Sequence, residues 1–167
     1  MTYRIKQFLW AISASFKDLD YKYVEKYLNT YEINLFKRLK KSEQSHCIKV
    51  SKDCIKLAKD KGIESNKELN SFARVGLLHD IGKLDYPLNV VTKSFLVLGK
   101  KLSKNKLSKF QNIKAVDIYY NHGNRAFKYL REKEYNEKFI EAIENHHYTV
   151  TKKNMLLEVL KQADDMN

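Results

Sequence analysis

The sequence predicts a single all-α domain, and three observations lead to this prediction. The chain has 167 residues, of which 43% are apolar, and this is enough to build one buried core. Only 5 glycines and 1 proline are available for tight turns, so a β-sandwich or a β-barrel is a poor fit. Apolar residues recur at helical spacing along most of the chain, which favours a bundle of amphipathic helices.

Residues 1–40 are predicted to form an N-terminal helical extension. Ser13 and Ser15 interrupt the apolar stretch near the start, so this stretch is interpreted as an amphipathic helix rather than a signal peptide. No apolar run approaches the roughly 18 to 20 residues that span a bilayer, and we expect a cytoplasmic protein without a membrane partner. Four tyrosines are expected to pack the extension over the rest of the protein: Tyr21, Tyr23, Tyr27 and Tyr31.

Residues 41–167 are predicted to form the main helical bundle. Its first helix is expected over residues 43–61 with Ser42 as the N-cap, and its second follows a capping box that starts at Ser65. Two cysteines of the first helix lie about 10 Å apart by helical rise, which is too far for a disulfide. Both are therefore predicted to be reduced core residues: Cys47 and Cys54.

Four further helices are predicted in the second half of the bundle. They are expected around residues 90–102, 113–131 and 136–147, with a last helix that includes residues 156–164. The residues of the first of these that are predicted to point inward are Phe95, Leu98 and Leu102. The predicted apolar stripe of the second is Val116, Tyr119, Tyr120, Gly123, Phe127 and Leu130.

The formal net charge of +12 raises the question of a nucleic-acid partner, because lysine and arginine neutralise phosphates. The positive charge comes from 27 lysines and only 5 arginines, spread along the chain. Base and phosphate recognition, in contrast, tends to favour the planar guanidinium group. We therefore predict a solvated basic surface that steers small anionic substrates toward the protein. A basic nucleic-acid-binding helical domain is the less favoured alternative.

All five histidines and two aspartates fall on or beside a predicted inward-facing helical stripe. They are His46, His79, His122, His146, His147, Asp80 and Asp164. A single histidine near an apolar face is usually a hydrogen-bonded core residue, but burying this whole set would cost several kcal/mol for each unpaired charge. Divalent metal ions offset that cost in helical bundles, where imidazole and carboxylate groups are the usual ligands. The adjacent His79 and Asp80 favour two ions, because the carboxylate can bridge between them.

The order of these residues resembles the HD-domain superfamily of metal-dependent phosphohydrolases. The most specific part is residues 77–83, which read Leu-Leu-His-Asp-Ile-Gly-Lys, and the resemblance extends over about residues 40–167. It implies that residues 41–167 fold as a helical HD-domain bundle. The additional histidines resemble the subset with a two-metal centre, as in the HD-GYP cyclic dinucleotide phosphodiesterases. No Gly-Tyr-Pro follows His147, which argues against that particular substrate.

The resemblance also implies two divalent metal ions and a set of ligands for each. One ion would be held by His46, His79, Asp80 and Asp164, and the other by Asp80, His122, His146 and His147. These ligand types are compatible with Mn, Fe, Co, Ni, Mg or Zn. A hydroxide bridging the two metals would attack phosphorus in line, and Lys83 would contribute a positive charge to the phosphate or the leaving group.

This chemistry predicts a phosphohydrolase that cleaves a nucleotide or a related phosphomonoester or phosphodiester. Asp80 and Lys83 are the predicted catalytic residues. The first alternative is a non-catalytic sensor module that keeps the fold and binds a metal or a nucleotide. The intact set of predicted ligands argues against this alternative, because a degenerate member of the superfamily is expected to have lost some of them.

Overall fold

The computed structural model describes residues 18–88, 92, 96, 98, 99, 106–130, 135–148 and 153–167. The α-helices whose bounds lie within these residues are α1 (Tyr21–Tyr27), α2 (Thr30–Lys37), α3 (Lys41–Asp60), α4 (Asn66–Leu78), α5 (Lys114–Leu130), α6 (Glu137–Asn145) and α7 (Met155–Asp165). One 3-10 helix, Ile81–Asp85, follows α4, and a second, Lys106–Phe110, precedes α5. No β-strand occurs in this part of the chain, so the prediction of an all-α fold is confirmed.

The longest helix, α3, forms the most extensive helix–helix contact of the described part of the chain. It packs along α4 and against α7, while α6 contacts α5 and α7, and the first 3-10 helix packs on α5. Both cysteines of α3 are buried and form no disulfide, as predicted. None of the described helices is both long enough and apolar enough to cross a bilayer. The core between the helices is built from almost completely buried aliphatic side chains, among them Val50, Leu77, Leu78, Ile143 and Leu160.

The starts of α3 and α4 differ in detail from the prediction. Helix α3 begins at Lys41, so Ser42 lies inside its first turn and does not cap it. The turn before the helix is fixed by Gln44, whose side-chain amide donates to the backbone carbonyl of Leu39 at 2.7 Å. Ser65 is the N-cap residue of α4, but its side chain makes no capping hydrogen bond, so the predicted capping box is absent.

Two residues that were predicted to point inward are exposed. Leu98 is 51% exposed, and the nearby Leu96 is buried instead. Phe127 of α5 is 39% exposed, because Ala126 occupies the packed face of the helix where the first 3-10 helix approaches. The other two inward residues predicted for the segment around Leu98 lie outside the described residues: Phe95 and Leu102.

The segment before α3 is attached to the bundle through tyrosine hydroxyl groups. Tyr21 donates to the side-chain oxygen of Gln44 on α3 at 2.8 Å, and Tyr31 donates to the backbone carbonyl of Tyr129 on α5 at 2.7 Å. These long-range contacts place α1 and α2 on the surface of the main bundle. The division of the chain at residue 40 into an extension and a separate domain stays a prediction.

An ion pair with a buried carboxylate connects α2 to α4. Glu32 is fully buried, and its carboxylate accepts hydrogen bonds from the guanidinium of Arg74 at 2.6 Å and from the hydroxyl of Tyr135 at 2.7 Å. The second carboxylate oxygen accepts from the backbone N–H of Asn29, which caps α2. Because a buried carboxylate is costly unless it is paired, this network fixes the N-terminal segment to the bundle.

Replacing Arg74 with methionine leaves the carboxylate of Glu32 buried without its cation. We expect the free energy of unfolding to fall by about 2 kcal/mol, less than for a fully buried pair, because the Arg74 side chain is 32% exposed and two hydrogen bonds to Glu32 remain. The matched control is Lys52→Met, which breaks a half-exposed ion pair with Asp20 and should cost less than about 1 kcal/mol. Urea unfolding followed by circular dichroism measures both losses. Equal losses in the two variants would contradict this account of the ion pair.

Candidate metal centre

The seven predicted ligands come together at a place in the bundle where several helices end. His79 is the C-cap residue of α4 and His146 is that of α6, so Asp80 and His147 follow these helices directly. The other three ligands lie within helices: His46 in α3, His122 in α5 and Asp164 in α7. Residues that are 118 positions apart in the chain are thereby brought into contact.

The first cluster consists of His46, His79 and Asp164. The Nε2 atom of His46 lies 3.0 Å from Oδ1 of Asp164, and the Nε2 atom of His79 lies 3.7 Å from the same oxygen. Asp80 adjoins the cluster, with its Oδ1 atom 3.5 Å from Nε2 of His79. The three donor atoms lie within 4.8 Å of one another, which is close to the spacing of ligands around a single ion.

The second cluster consists of His122, His146 and His147. The Nε2 atom of His122 lies 3.2 Å from Nε2 of His146 and 3.1 Å from Nε2 of His147, so the three rings converge through the same ring atom. The Oδ1 atom of Asp80 lies 3.1 Å from Nε2 of His122. The carboxylate of Asp80 therefore adjoins both clusters.

The backbone determines which ring nitrogen of these histidines faces the clusters. Three Nδ1 atoms lie at hydrogen-bond distance from carbonyl oxygens about one turn earlier: His79 from Gly76 at 2.8 Å, His122 from Ile118 at 3.0 Å, and His146 from Ile143 at 2.6 Å. A carbonyl oxygen only accepts hydrogen bonds, so each Nδ1 atom carries the proton and donates it. Each ring therefore turns its Nε2 atom toward the clusters, as metal-ligating histidines usually do.

The facing ring nitrogens and carboxylate oxygens need a cation between them. The Nε2 atom of His122 faces the Nε2 atoms of His146 and His147 and the Oδ1 atom of Asp80 at 3.1 to 3.2 Å, and a single N–H could serve only one of these three neighbours. The Nε2 atom of His79 is buried and has no hydrogen-bond partner in the described part of the chain, which is costly in a protein interior. Divalent ions bind imidazole nitrogens and carboxylates of this kind. The donor set therefore fits divalent metal ions.

The surroundings keep the imidazole groups in the form that binds metals. Burial lowers the pKa of His79. Burial, together with the neighbouring histidines, holds the pKa of His146 well below its usual value. Burial of the ring of His147 beside His122 lowers the pKa of His147 to about 3, although the residue as a whole reaches the surface. At neutral pH these rings are uncharged and their Nε2 atoms can accept a metal ion.

The two carboxylates of the centre are ionised for the opposite reason. Burial by itself would raise the pKa of Asp80, but His79 and Lys83 hold that pKa well below its usual range. Burial would also raise the pKa of Asp164, but the hydrogen bond with His46 and the proximity of His79 keep it low as well. Both aspartates are therefore negatively charged at neutral pH, and their oxygens are available as metal ligands.

Two glycines allow the close backbone approach that the centre requires. A Cβ atom at Gly82 would lie 1.8 Å from the carbonyl oxygen of His122, and one at Gly123 would lie 2.6 Å from the carbonyl oxygen of Glu144. Either side chain would push its neighbouring element away. Gly82 therefore keeps Asp80 close to α5, and Gly123 keeps α6, with the histidines at its end, against α5.

Lys83 lies beside the clusters in a buried position. Its Nζ atom lies 2.5 Å from Oδ2 of Asp80 and 3.2 Å from Oε2 of Glu43. Burial opposes the charge, but the two carboxylates raise the pKa of Lys83, so the ammonium group is protonated. Glu43 was not recognised from the sequence. The sequence feature that could have indicated Glu43 is its position one helical turn before His46, which places both residues on the same face of α3.

A buried thiol lies next to the first cluster. The Sγ atom of Cys47 and donor atoms of His79 and Asp80 lie within 4.8 Å of one another. No cysteine was predicted among the ligands, because both Cys47 and Cys54 were interpreted as reduced core residues. The structure distinguishes them, since only Cys47 directly follows His46 and groups with these ligands among the described residues.

Comparison with known proteins agrees with this geometry. A family model described as HD domain matches residues 44–166, which is well over half of the chain and includes all seven predicted ligands. The chain therefore belongs to the HD domain family. Neither a search of curated proteins nor a search of solved structures found a matching protein.

With metal ions removed, the protein should lose stability as the pH falls below about 6.5, the usual pKa of histidine. Histidines of the unfolded chain take up protons near that pH, whereas burial keeps His79 and His146 unprotonated in the folded protein to lower pH. Since the unfolded state binds more protons, each of these histidines lowers the free energy of unfolding by up to about 1.4 kcal/mol for each unit by which the pH falls.

Urea unfolding in the presence of a chelator, between about pH 7 and about pH 5, measures this dependence. His146→Gln is the matched variant, because it removes one buried imidazole and should make the dependence on pH shallower. A wild-type stability that stays constant over this range would show that the histidines are not held in the neutral form.

Proposed function

We propose that this HD domain is a metal-dependent phosphohydrolase that cleaves a phosphate ester. The observation that supports this proposal most directly is that two clusters of donors adjoin one shared carboxylate, that of Asp80. In the proposal two divalent ions would be held by the two clusters, one by His46, His79 and Asp164 and the other by His122, His146 and His147, and Asp80 would contribute to both sets of ligands.

The number of ligands suits a catalytic centre. With Asp80 counted twice, the chain would supply about eight bonds, whereas two roughly octahedral ions accept about twelve. About four positions would then be open for water and for substrate oxygens, as a catalytic site requires. Bound ions would supply the Lewis acidity and the acidified water that hydrolysis of a phosphate ester needs.

The chain's own residues would position these groups. The backbone carbonyls hold three imidazole rings in one orientation, so the ligands need little rearrangement. Lys83 fixes the carboxylate of Asp80 through the 2.5 Å contact of its ammonium group. We also propose that Lys83 contributes positive charge to the phosphate or the leaving group during the reaction.

The substrate in this proposal is a small anionic phosphate compound, a nucleotide or a related phosphomonoester or phosphodiester. The formal net charge of +12 would attract such anions from solution. The imidazole and carboxylate ligands are compatible with Mn, Fe, Co, Ni, Mg or Zn, and the thiol of Cys47 would favour the softer metals if it approached an ion.

Hydrolysis of p-nitrophenyl phosphate and bis(p-nitrophenyl) phosphate in the presence of Mn²⁺ tests the proposal. The wild type should release nitrophenol, and Asp80→Asn should lower the rate by at least about a hundredfold, because it removes the shared charge between the ions. Asp165→Asn is the matched control. It removes an exposed carboxylate next to Asp164 and should leave the rate unchanged.

A second variant, His147→Gln, guards against a folding defect, because this residue reaches the surface. It should also lose most of the activity while keeping the circular dichroism spectrum of the wild type. If the wild type hydrolysed neither compound with any of the six metals, the proposal would fail and a sensor module that binds a nucleotide would be the better reading.

A further inference from the structure

We propose that Lys161 binds the phosphate group of the substrate at the opening of the metal centre. This inference rests on the proposed function, since it names the residue that would recognise the phosphate ester. It concerns a side chain outside the set of ligands, on the helix that carries Asp164.

Differences in exposure show where the centre opens to solvent. The side chains of His79 and Asp80 are each 1% exposed, so they form the closed side of the centre. Those of His46 and Asp164 are 15% and 18% exposed, and His147 reaches the surface. A substrate would therefore enter beside His147 and Asp164.

Lys161 lies at this opening. It is three residues before Asp164 on α7, so the two side chains leave the same face of the helix one turn apart. Its Nζ atom donates to the backbone carbonyl oxygen of Tyr148 at 2.6 Å, and Tyr148 directly follows His147. The ammonium group thus lies between the chain segments that carry two of the ligands.

The carbonyl group that holds Lys161 is itself held in place. The hydroxyl of Tyr148 donates to the side-chain oxygen of Asn121 at 2.7 Å and lies 3.0 Å from the backbone carbonyl of Tyr120. Both of these residues are next to His122 on α5. Tyr148 therefore connects the end of α6 with α5 and α7 around the opening.

The charge of Lys161 is available for an anion. Its partner is a neutral carbonyl group, and no carboxylate pairs with it in the part of the chain that the structure describes. An ammonium group has three donors, so two are left for phosphate oxygens. Lys83, in contrast, is buried and already forms ion pairs with Asp80 and Glu43.

The expected effect is on phosphate binding. Replacing Lys161 with methionine should raise the dissociation constant of inorganic phosphate for the Mn²⁺-loaded protein about tenfold, because one charge-assisted contact is lost. Lys161→Arg keeps the charge and should restore most of the affinity. The loss of activity toward the nitrophenyl esters should appear mainly as an increase in KM, as expected for a contact made equally in the ground state and the transition state.

Lys59→Met is the matched control. It removes an exposed lysine of α3 that lies thirteen residues beyond His46, about 20 Å away by helical rise. It lowers the net charge by the same amount and should leave phosphate binding unchanged. A tenfold loss in this variant as well would mean that the general positive charge, and not Lys161, attracts the phosphate.

Isothermal titration calorimetry with inorganic phosphate tests the role of Lys161 without any assay of hydrolysis. The bound Mn²⁺ is measured in the same samples. The inference is overturned if the wild type binds no phosphate, if Lys161→Met binds it as tightly as the wild type, or if that variant has lost its Mn²⁺. The proposed function can fail independently of this inference. In that case the protein would hydrolyse no ester, but its binding of phosphate would still depend on Lys161.

Discussion

The convergence of unprotonated imidazole nitrogens and ionised carboxylates in a buried space is the constraint on which the rest of the structure depends. Backbone carbonyl groups accept hydrogen bonds from the Nδ1–H groups of three rings, so the Nε2 atoms of His79, His122 and His146 face inward. Lone pairs and carboxylates in contact repel one another, and burial makes the repulsion stronger. Divalent cations would turn this unfavourable arrangement into a stable one, and the geometry therefore points to a metal centre.

Several features of the bundle follow from the need to bring these donors together. Helices α4 and α6 each end at a predicted ligand, since their C-cap residues are His79 and His146. Gly82 and Gly123 allow the backbone of α5 to approach its neighbours more closely than any other residue type would permit. Five residues before His79, Arg74 pairs with the buried carboxylate of Glu32 and fastens the N-terminal helices to α4. The same helix thus carries a structural ion pair and, at its end, the ligands.

Periodicity in the sequence was sufficient to predict the helices and the convergence of their polar residues. The apolar stripes identified which face of each helix is buried, and every histidine lay on or beside that face, so their approach followed from the fold class. Features that change when a helix begins one residue earlier or turns by one residue could not be predicted from the periodicity. Ser42 does not cap α3 because a different side chain, that of Gln44, fixes the preceding turn, and Leu98 is exposed while Leu96 is buried. The pairing of Glu43 with Lys83 joins residues 40 positions apart, and only the packing of two helices determines it.

Counting the metal ions that the protein binds tests the central claim most directly. Equilibrium dialysis against Mn²⁺, with the metal content measured by mass spectrometry, should give about two ions per chain if both clusters hold an ion. His147→Gln should weaken the binding of one ion and leave the other, because this residue belongs to the second cluster alone. Binding of fewer than one ion per chain by the wild type would contradict the account, because the buried lone pairs would then have to be satisfied in some other way.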